Sequence, residues 1–402
     1  MSAGVKVGLS LLACYYAQQS ASLNSKSSQL GPTGEDNILE YSPKGLVACI
    51  SPWNFPLAIT LGQIAAALVT GNTVIAKASE ETSLIAFKAI SLFFDHGLPK
   101  DALHLLLGNG ELGQAIISSQ PLDLVVFTGS LSTAKNIHNN LAAKLGKIVP
   151  LIAETGGLNS MVVDSSALIE RACDDIMRSA FNSAGQRCSA LRLLLVHETI
   201  YEELISMLKG MMNELIVGNP MDSSVDMGPM ITLDAALELY DYLDQSDAAR
   251  LSIFQPEILS EYGKQWFPPT LIEINSIESL NEEKFGPILH VMQFTEDTLD
   301  SNLAEIEAKG YGLTFGIHTR IDAKAIRASR LVSAGNTYIN RDIIGAVVES
   351  QPFGGKNLSG TGFKAGGPNY LIQFIDERTI SINTVAIGGN AELLNQASEG
   401  EI

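Results

Sequence analysis

Cys188 lies between Arg187 and Ser189 in Phe181-Asn-Ser-Ala-Gly-Gln-Arg-Cys-Ser-Ala-Leu-Arg192, a segment that Gly185 marks as a turn. The thiolate form of such a cysteine attacks electrophilic carbon, and a neighbouring arginine favours it over a thiol whose reference pKa is ~8.5. A small apolar core side chain is the competing reading. Glu154 ends an apolar run ahead of Gly156 and Gly157. Partial burial there raises a carboxylate towards neutrality and suits a proton acceptor, whereas a solvated loop glutamate is the bland alternative. Gly108-Asn-Gly-Glu-Leu-Gly113 spells a dinucleotide fingerprint. The acidic residue that should follow roughly 20 positions later is replaced by Phe127-Thr-Gly-Ser130 and its neighbours, so the glycines read first as a tight strand-to-helix turn. The four cysteines show no framework spacing and the six histidines no ligand pattern, so no metal is expected.

The elements that must position these residues alternate. Apolar strands are expected at 46–50, 73–76, 103–107, 124–127 and 149–153, with helices at 56–69, 82–94 and 131–145, which implies a parallel, doubly wound sheet. A second alternation starts at Met161, with a long helix running into the cysteine turn, a strand at 191–196 and a helix at 200–215. Gly218-Asn-Pro and Met227-Gly-Pro are turns, and residues 20–34 read as loop or exposed hairpin.

Composition narrows the classes. Lysine and arginine total 26 against 44 acidic residues, a formal charge of -18, so nucleic acid is not an expected partner. Residues 45–76 carry no charge, but Pro52, Asn54 and Pro56 break the run, which suits a buried strand, turn and helix rather than a bilayer span. Leu11-Leu-Ala-Cys14 could pass for the end of an export signal, but Leu11 to Gln19 reads as the remnant of an amphipathic helix, so a reducing, cytoplasmic setting is expected.

Seven motifs occur in order along the chain: Ser51-Pro-Trp-Asn-Phe-Pro56, Lys77-Ala-Ser-Glu80, Phe127-Thr-Gly-Ser130, Glu154-Thr-Gly-Gly157, Gly185-Gln-Arg-Cys188, Glu283-Lys-Phe-Gly-Pro287 and Gln351-Pro-Phe-Gly-Gly355. Together they resemble the NAD(P)-dependent aldehyde dehydrogenases. Tyr338-Ile-Asn-Arg-Asp-Ile-Ile-Gly-Ala-Val-Val348 and Leu358-Ser-Gly-Thr-Gly-Phe-Lys-Ala-Gly-Gly-Pro368 narrow the resemblance to the pyrroline-5-carboxylate dehydrogenase half of bifunctional proline utilisation A proteins. That branch oxidises glutamate-γ-semialdehyde to glutamate.

The resemblance implies an α/β fold with a doubly wound cofactor domain at residues 1–156, an oligomerisation hairpin near 20–44, an α/β catalytic domain at 157–365 and an oligomerisation segment at 366–402. It implies Cys188 as nucleophile, Asn54 as oxyanion donor and Glu154 as the base that activates water. For NAD it implies Trp53, Lys77, Glu80, Gly129, Ser130, Glu283 and Phe285. Lys77 and Glu80 would hold the adenosine ribose, and a carboxylate there favours NAD over NADP. Gly129 and Ser130 open a helix whose N-terminus suits pyrophosphate. For substrate it implies Ser189, Gly345 and Ala346 on the α-carboxylate, with Phe55 and Phe353 flanking the aliphatic part. A homo-oligomer and a proline dehydrogenase partner or domain follow from the same likeness.

Several positions depart from the family pattern. Relatives have on the order of a hundred more residues before the Pro-Trp-Asn-Phe segment, whose loss is expected to leave the cofactor domain short of a wall. Glu349 and Ser350 stand where small apolar residues are usual, and an inward Glu349 would weaken binding of an acid. Ala78 and Leu158 replace a proline and a glutamine, and both are expected to be tolerated. Two other readings therefore stand beside the dehydrogenase: a shortened fragment that folds and oligomerises without catalysing, and a dehydrogenase for another small acid aldehyde.

Overall fold

The computed structural model describes residues 3–23, 27–119, 121–144, 146–245, 252–256, 263–384 and 386. The chain opens with helix α1 (Ala3–Leu23), longer than the expected remnant and extending into the stretch read as loop or hairpin. Strands β1 (Ser27–Gln29) and β2 (Glu35–Pro43) follow. The next unit alternates β3 (Leu46–Ile50), α2 (Ala58–Val69), β4 (Thr73–Lys77), α3 (Ser83–Asp95), β5 (Leu103–Leu106), α4 (Gly110–Ser119), β6 (Leu124–Thr128), α5 (Leu131–Ala143) and β7 (Leu151–Glu154). Its five strands are parallel in the order β5-β4-β3-β6-β7, so the order reverses at β3 and opens a crevice beyond the carboxyl ends of β3 and β6.

The continuous apolar character of these strands has a direct cause, since both faces are covered. Val47, Cys49, Val74 and Ala76 pack with Ile64, Ala67 and Ile90 of α2 and α3. Ala48, Val125 and Phe127 pack on the other side with Ile116, Ile117, Ala134 and Ile137 of α4 and α5. The outer side of α3 nevertheless leaves Leu84, Phe87 and Leu92 exposed. Helix α1 closes one flank, with buried Tyr16 stacked on Tyr370 at 5.7 Å between centroids and its hydroxyl accepting the Gly366 N–H at 2.9 Å.

The second unit contains β8 (Ser160–Val163), α6 (Ile169–Phe181), β9 (Leu193–His197), α7 (Tyr201–Asn213), α8 (Leu233–Gln245), β10 (Ser252–Phe254), β11 (Thr270–Glu273), β12 (Ile288–Phe294), α9 (Leu299–Ala308), β13 (Tyr311–Gly312), β14 (Thr314–His318), α10 (Asp322–Leu331), β15 (Asn336–Ile339) and β16 (Lys356–Asn357). Seven strands form a sheet ordered β10-β11-β12-β9-β8-β14-β15, parallel except for the antiparallel edge β10. Leu158 is buried in its core, and Ala78 is buried in the first unit. Finally β17 (Ile375–Asn383) returns to pair with β2 over nine residues, which with β1 makes a largely exposed three-stranded antiparallel arm. The rest of the expected C-terminal segment, 385 and 387–402, lies outside the described residues. Among the described residues no helix is long and apolar enough to cross a membrane.

Candidate active site

Helix α6 delivers the nucleophile's turn. Its buried face includes Ala172, Cys173, Ile176, Ala180 and Phe181, spaced to lie along one side of a helix. Beyond it the chain reverses through three successive left-handed residues, Ser183 (φ 58°), Ala184 (φ 52°) and Gly185 (φ 63°). Gly185 is obligatory on two counts, because a Cβ there would lie 2.2 Å from the Gly286 carbonyl oxygen. The turn is pinned from several sides. Gln186 Oε1 accepts the Ile231 N–H at 2.8 Å, and Asn159 Nδ2 donates to the Cys188 and Ala190 carbonyls at 2.7 and 2.9 Å.

Burial pushes the Cys188 thiol up to about 12, with Glu283 and Glu154 adding to the rise, while the backbone N–H groups of Ser189 and Cys188 oppose it. Arg187 and the Cys188 charge do favour one another, but burial is the larger effect. The Arg187 guanidinium donates to Ser183 Oγ from Nε and Nη2 at 3.1 and 3.0 Å and lies over the Phe55 ring, 5.4 Å from the centroid. Cys188 is half-buried, at the wall of a cleft, and rests as a thiol.

Glu154 ends β7 and faces the same space. Burial pushes its carboxyl up to about 8, against the Gly355 N–H, which donates to Oε2 at 3.2 Å, and the charge of Lys364. Gly354 is needed beside it, since a Cβ would stand 2.8 Å from Glu154 Oε1. Asn54, in the turn after β3, donates from Nδ2 to the Gln186 carbonyl at 3.2 Å. Asn54, Glu154 and Cys188, which are far apart in sequence, line one cleft of about 880 Å³.

That cleft runs on to Glu80 and to the start of α5, taking in Trp53, Gly129, Ser130, Glu283 and Phe285. Ser130 caps α5, its Oγ accepting the Thr133 N–H at 3.2 Å. Lys77 is buried and does not itself line the cleft, but it donates to Glu80 Oε2 at 3.0 Å. Desolvation pushes the Glu80 carboxyl up, but its own backbone N–H and Lys77 outweigh that and hold it low. Trp53 meets Phe285 edge-to-face at 5.8 Å. Gly156 makes room for Glu283, whose Oε2 would be 1.7 Å from a Cβ. Burial raises the Glu283 carboxyl, with Arg192 and the Gly157 N–H opposing the rise.

The residues expected to hold substrate do not line this cleft. Ser189 is buried beside the nucleophile, Phe55 sits under Arg187, and Phe353 pairs with Ala365 in an isolated bridge. Gly345 (φ 76°) and Ala346 are exposed, on a loop tethered by the Ile343 N–H donating to Ser179 Oγ at 3.1 Å. Glu349 is also exposed, at φ 71°, and its charge bears on Tyr15 of α1. Gly108 to Gly113 likewise stand apart from the cleft. Sequence reasoning missed Asn159 and Arg192 as supports of the turn. Arg192 carried a signal, a single charge at the head of the apolar run Leu191-Arg-Leu-Leu-Leu-Val196, which calls for a buried partner.

The aldehyde dehydrogenase family profile matches residues 5–380. Bifunctional protein PutA of Klebsiella aerogenes is 46% identical over 348 residues, covering 84% of this chain and 26% of that protein. The chain thus spans about a quarter of the length of such relatives. 1-Pyrroline-5-carboxylate dehydrogenase 1 of Halalkalibacterium halodurans is 33% identical over 383 residues, covering 91% of this chain and 72% of that protein. A crystal structure of a Bradyrhizobium japonicum proline utilization A mutant superposes with a TM-score of 0.89 at 46% identity, over 93% of this chain and 38% of that one. Betaine aldehyde dehydrogenase of Staphylococcus aureus, solved with NAD+, gives 0.87 at 27% identity over 94% and 76%. The extent of these matches, from α1 through the arm strand β17, establishes that the chain belongs to the aldehyde dehydrogenase family.

Proposed function

We propose that the protein oxidises L-glutamate-γ-semialdehyde, formed from pyrroline-5-carboxylate, to L-glutamate with NAD. The observation that carries this reading is the single cleft in which Asn54, Glu154 and Cys188 meet the Glu80, Ser130 and Glu283 groups. Its chemistry fits a dinucleotide, with a carboxylate for ribose hydroxyls at Glu80, the N-terminus of the 13-residue helix α5 for pyrophosphate, and Glu283 with Phe285 for the nicotinamide ribose. Trp53, Lys77 and Gly129 complete that set. NAD, when bound, supplies the acceptor for hydride.

Cys188 gives up its thiol proton to water in the cleft as its sulfur attacks the aldehyde carbon, forming a thiohemiacetal whose developing oxyanion is stabilised by the Asn54 amide and the Cys188 backbone N–H. Oxidation leaves a thioester on Cys188. Glu154, ionised above about pH 8, then removes a proton from the attacking water and releases glutamate. Ser189, Gly345 and Ala346 would grip the α-carboxylate through charge-assisted hydrogen bonds, with Phe55 and Phe353 flanking the methylenes, and since none of them lines the cofactor cleft the substrate would reach Cys188 from another side. The outward Glu349 is compatible with an acidic substrate. We assign residues 1–156 to cofactor binding, 157–365 to catalysis and 366–402, with the hairpin near 20–44, to self-association. A proline dehydrogenase, as partner or neighbouring domain, would supply the substrate, in keeping with the bifunctional relatives.

The test is absorbance of reduced nicotinamide with purified chain, NAD and pyrroline-5-carboxylate. Turnover that Cys188→Ala abolishes supports the reading, and a chain that turns over other aldehydes but not this one sinks it.

A further inference from the structure

We propose that Arg192 is the positioning residue that holds the Cys188 turn in register with the Glu283–Gly286 corner, so that one buried guanidinium governs both the thiol's accessibility and the charge facing the cofactor cleft. Arg192 is 1% exposed and uses all its nitrogens. Nη2 donates to the Arg187 carbonyl at 3.2 Å, directly before the nucleophile, and to Glu283 Oε1 at 3.0 Å. Nε reaches the same carboxylate oxygen at 3.3 Å, and Nη1 donates to the Gly286 carbonyl at 2.8 Å. Its plane lies over the Phe285 ring, 5.4 Å from the centroid. From behind, the His290 N–H donates to the Arg192 carbonyl at 3.0 Å, and Tyr242 of α8 hydrogen-bonds His290 Nε2 at 2.8 Å.

Two segments some ninety residues apart in sequence thus share one fork. A planar fork can do this and an ammonium cannot, because the acceptors lie in different directions. The clamp also matters for charge. Glu283 is held in a buried place and its charge contributes to the resistance of Cys188 to ionise. Without the guanidinium, Glu283 would be an unpaired buried carboxylate, and its carboxyl would be pushed further up.

The bearing on NAD rests on the proposed function, but the bearing on the thiol does not. The experiment therefore begins without cofactor or substrate. Wild type, Arg192→Lys and Arg192→Gln are treated with iodoacetamide at pH 8, and alkylation of each cysteine is followed by peptide mass mapping. The expected result is at least tenfold faster modification of Cys188 in both variants, with buried Cys49 and Cys173 as protected as in wild type. NAD affinity is then measured from pH 6 to 9. Arg192→Gln should weaken it at least tenfold and more strongly towards low pH, where an unpaired Glu283 takes up a proton, whereas Arg192→Lys, which keeps the charge but not the fork, should weaken it without that pH dependence. Unchanged Cys188 alkylation in both variants overturns the proposal. So does simultaneous opening of Cys49, Cys173 and Cys188 in both, which would make Arg192 a general support of the core. If wild type fails to oxidise pyrroline-5-carboxylate, the proposed function falls while the alkylation comparison still decides the clamp.

Discussion

Glu154 and Cys188 are each held neutral by the same cause, removal from water at the base of the cleft. For Glu154 the consequence has a definite sign. Its folded-state pKa, about 8, lies above the unfolded value, so the stability associated with the neutral form is complete below the unfolded pKa and is lost as pH rises through about 8. Glu154→Gln, which mimics the neutral acid, should therefore match wild-type Tm near pH 4 and exceed it by a margin that grows until pH passes about 8. The rate of thioester hydrolysis should rise with an apparent pKa near 8 in wild type and lose that limb in the variant. Equal Tm throughout would contradict the buried charge. Asn54 acts through its amide, so Asn54→Ala should lower kcat by about 10²–10³-fold, roughly 3–4 kcal/mol of barrier, while NAD affinity changes little. A fall confined to NAD affinity would count against the oxyanion role.

At the scale of elements, the decisive feature is the join between α6 and β9, where three left-handed residues bring the nucleophile back against the Glu283–Gly286 corner. Gly185→Ala places a methyl into a backbone carbonyl at a positive φ and should cost at least about 2 kcal/mol in denaturant unfolding, with slower turnover. Gly210 provides the comparison. It is exposed within α7 and its Cβ position is open, so Gly210→Ala should stabilise by about 0.5–1 kcal/mol. Similar effects at the two sites would mean that the left-handed turn is not under this constraint.

For the whole molecule the formal charge is -18, and the cleft shares that acidic excess. Glu80, Glu81, Glu154, Asp234, Glu238, Glu282 and Glu283 line the cleft, against Lys135 and Lys284. Helix α5 and short-range hydrogen bonds must overcome that field. Salt screens exposed carboxylates more than it weakens close contacts, so NAD should bind more tightly at 200 mM than at 20 mM sodium chloride in a calorimetric titration. Tighter binding at low salt would argue against this account. The arm built from β1, β2 and β17 belongs to the same scale, since it joins residues near the two ends of the described chain over nine paired positions.

Much of this was legible in the amino-acid order. Alternating apolar strands and helices from Leu46 to Glu154 follow from periodicities set by each residue's near neighbours, and their predicted bounds agree with the structure to within a few residues. The motifs around Asn54, Glu154, Cys188 and Glu283 were readable as a set for the same reason. The thiol's state was not. Arg187 is adjacent in sequence, yet burial and the carboxylates of Glu283 and Glu154 decide how Cys188 ionises. Likewise the partners of Arg192 and Glu154 stand 91 and 201 positions away, at Glu283 and Gly355. The sheet itself is covered by α1 to α5, while Leu84, Phe87 and Leu92 of α3 stand exposed on its outer side. Local pattern determined the elements and the chemistry-bearing residues, because propensity and periodicity act over a few residues. Ionisation and the register between turn and corner were decided only by the tertiary structure, because desolvation and Coulomb forces depend on what folding brings near from elsewhere in the chain.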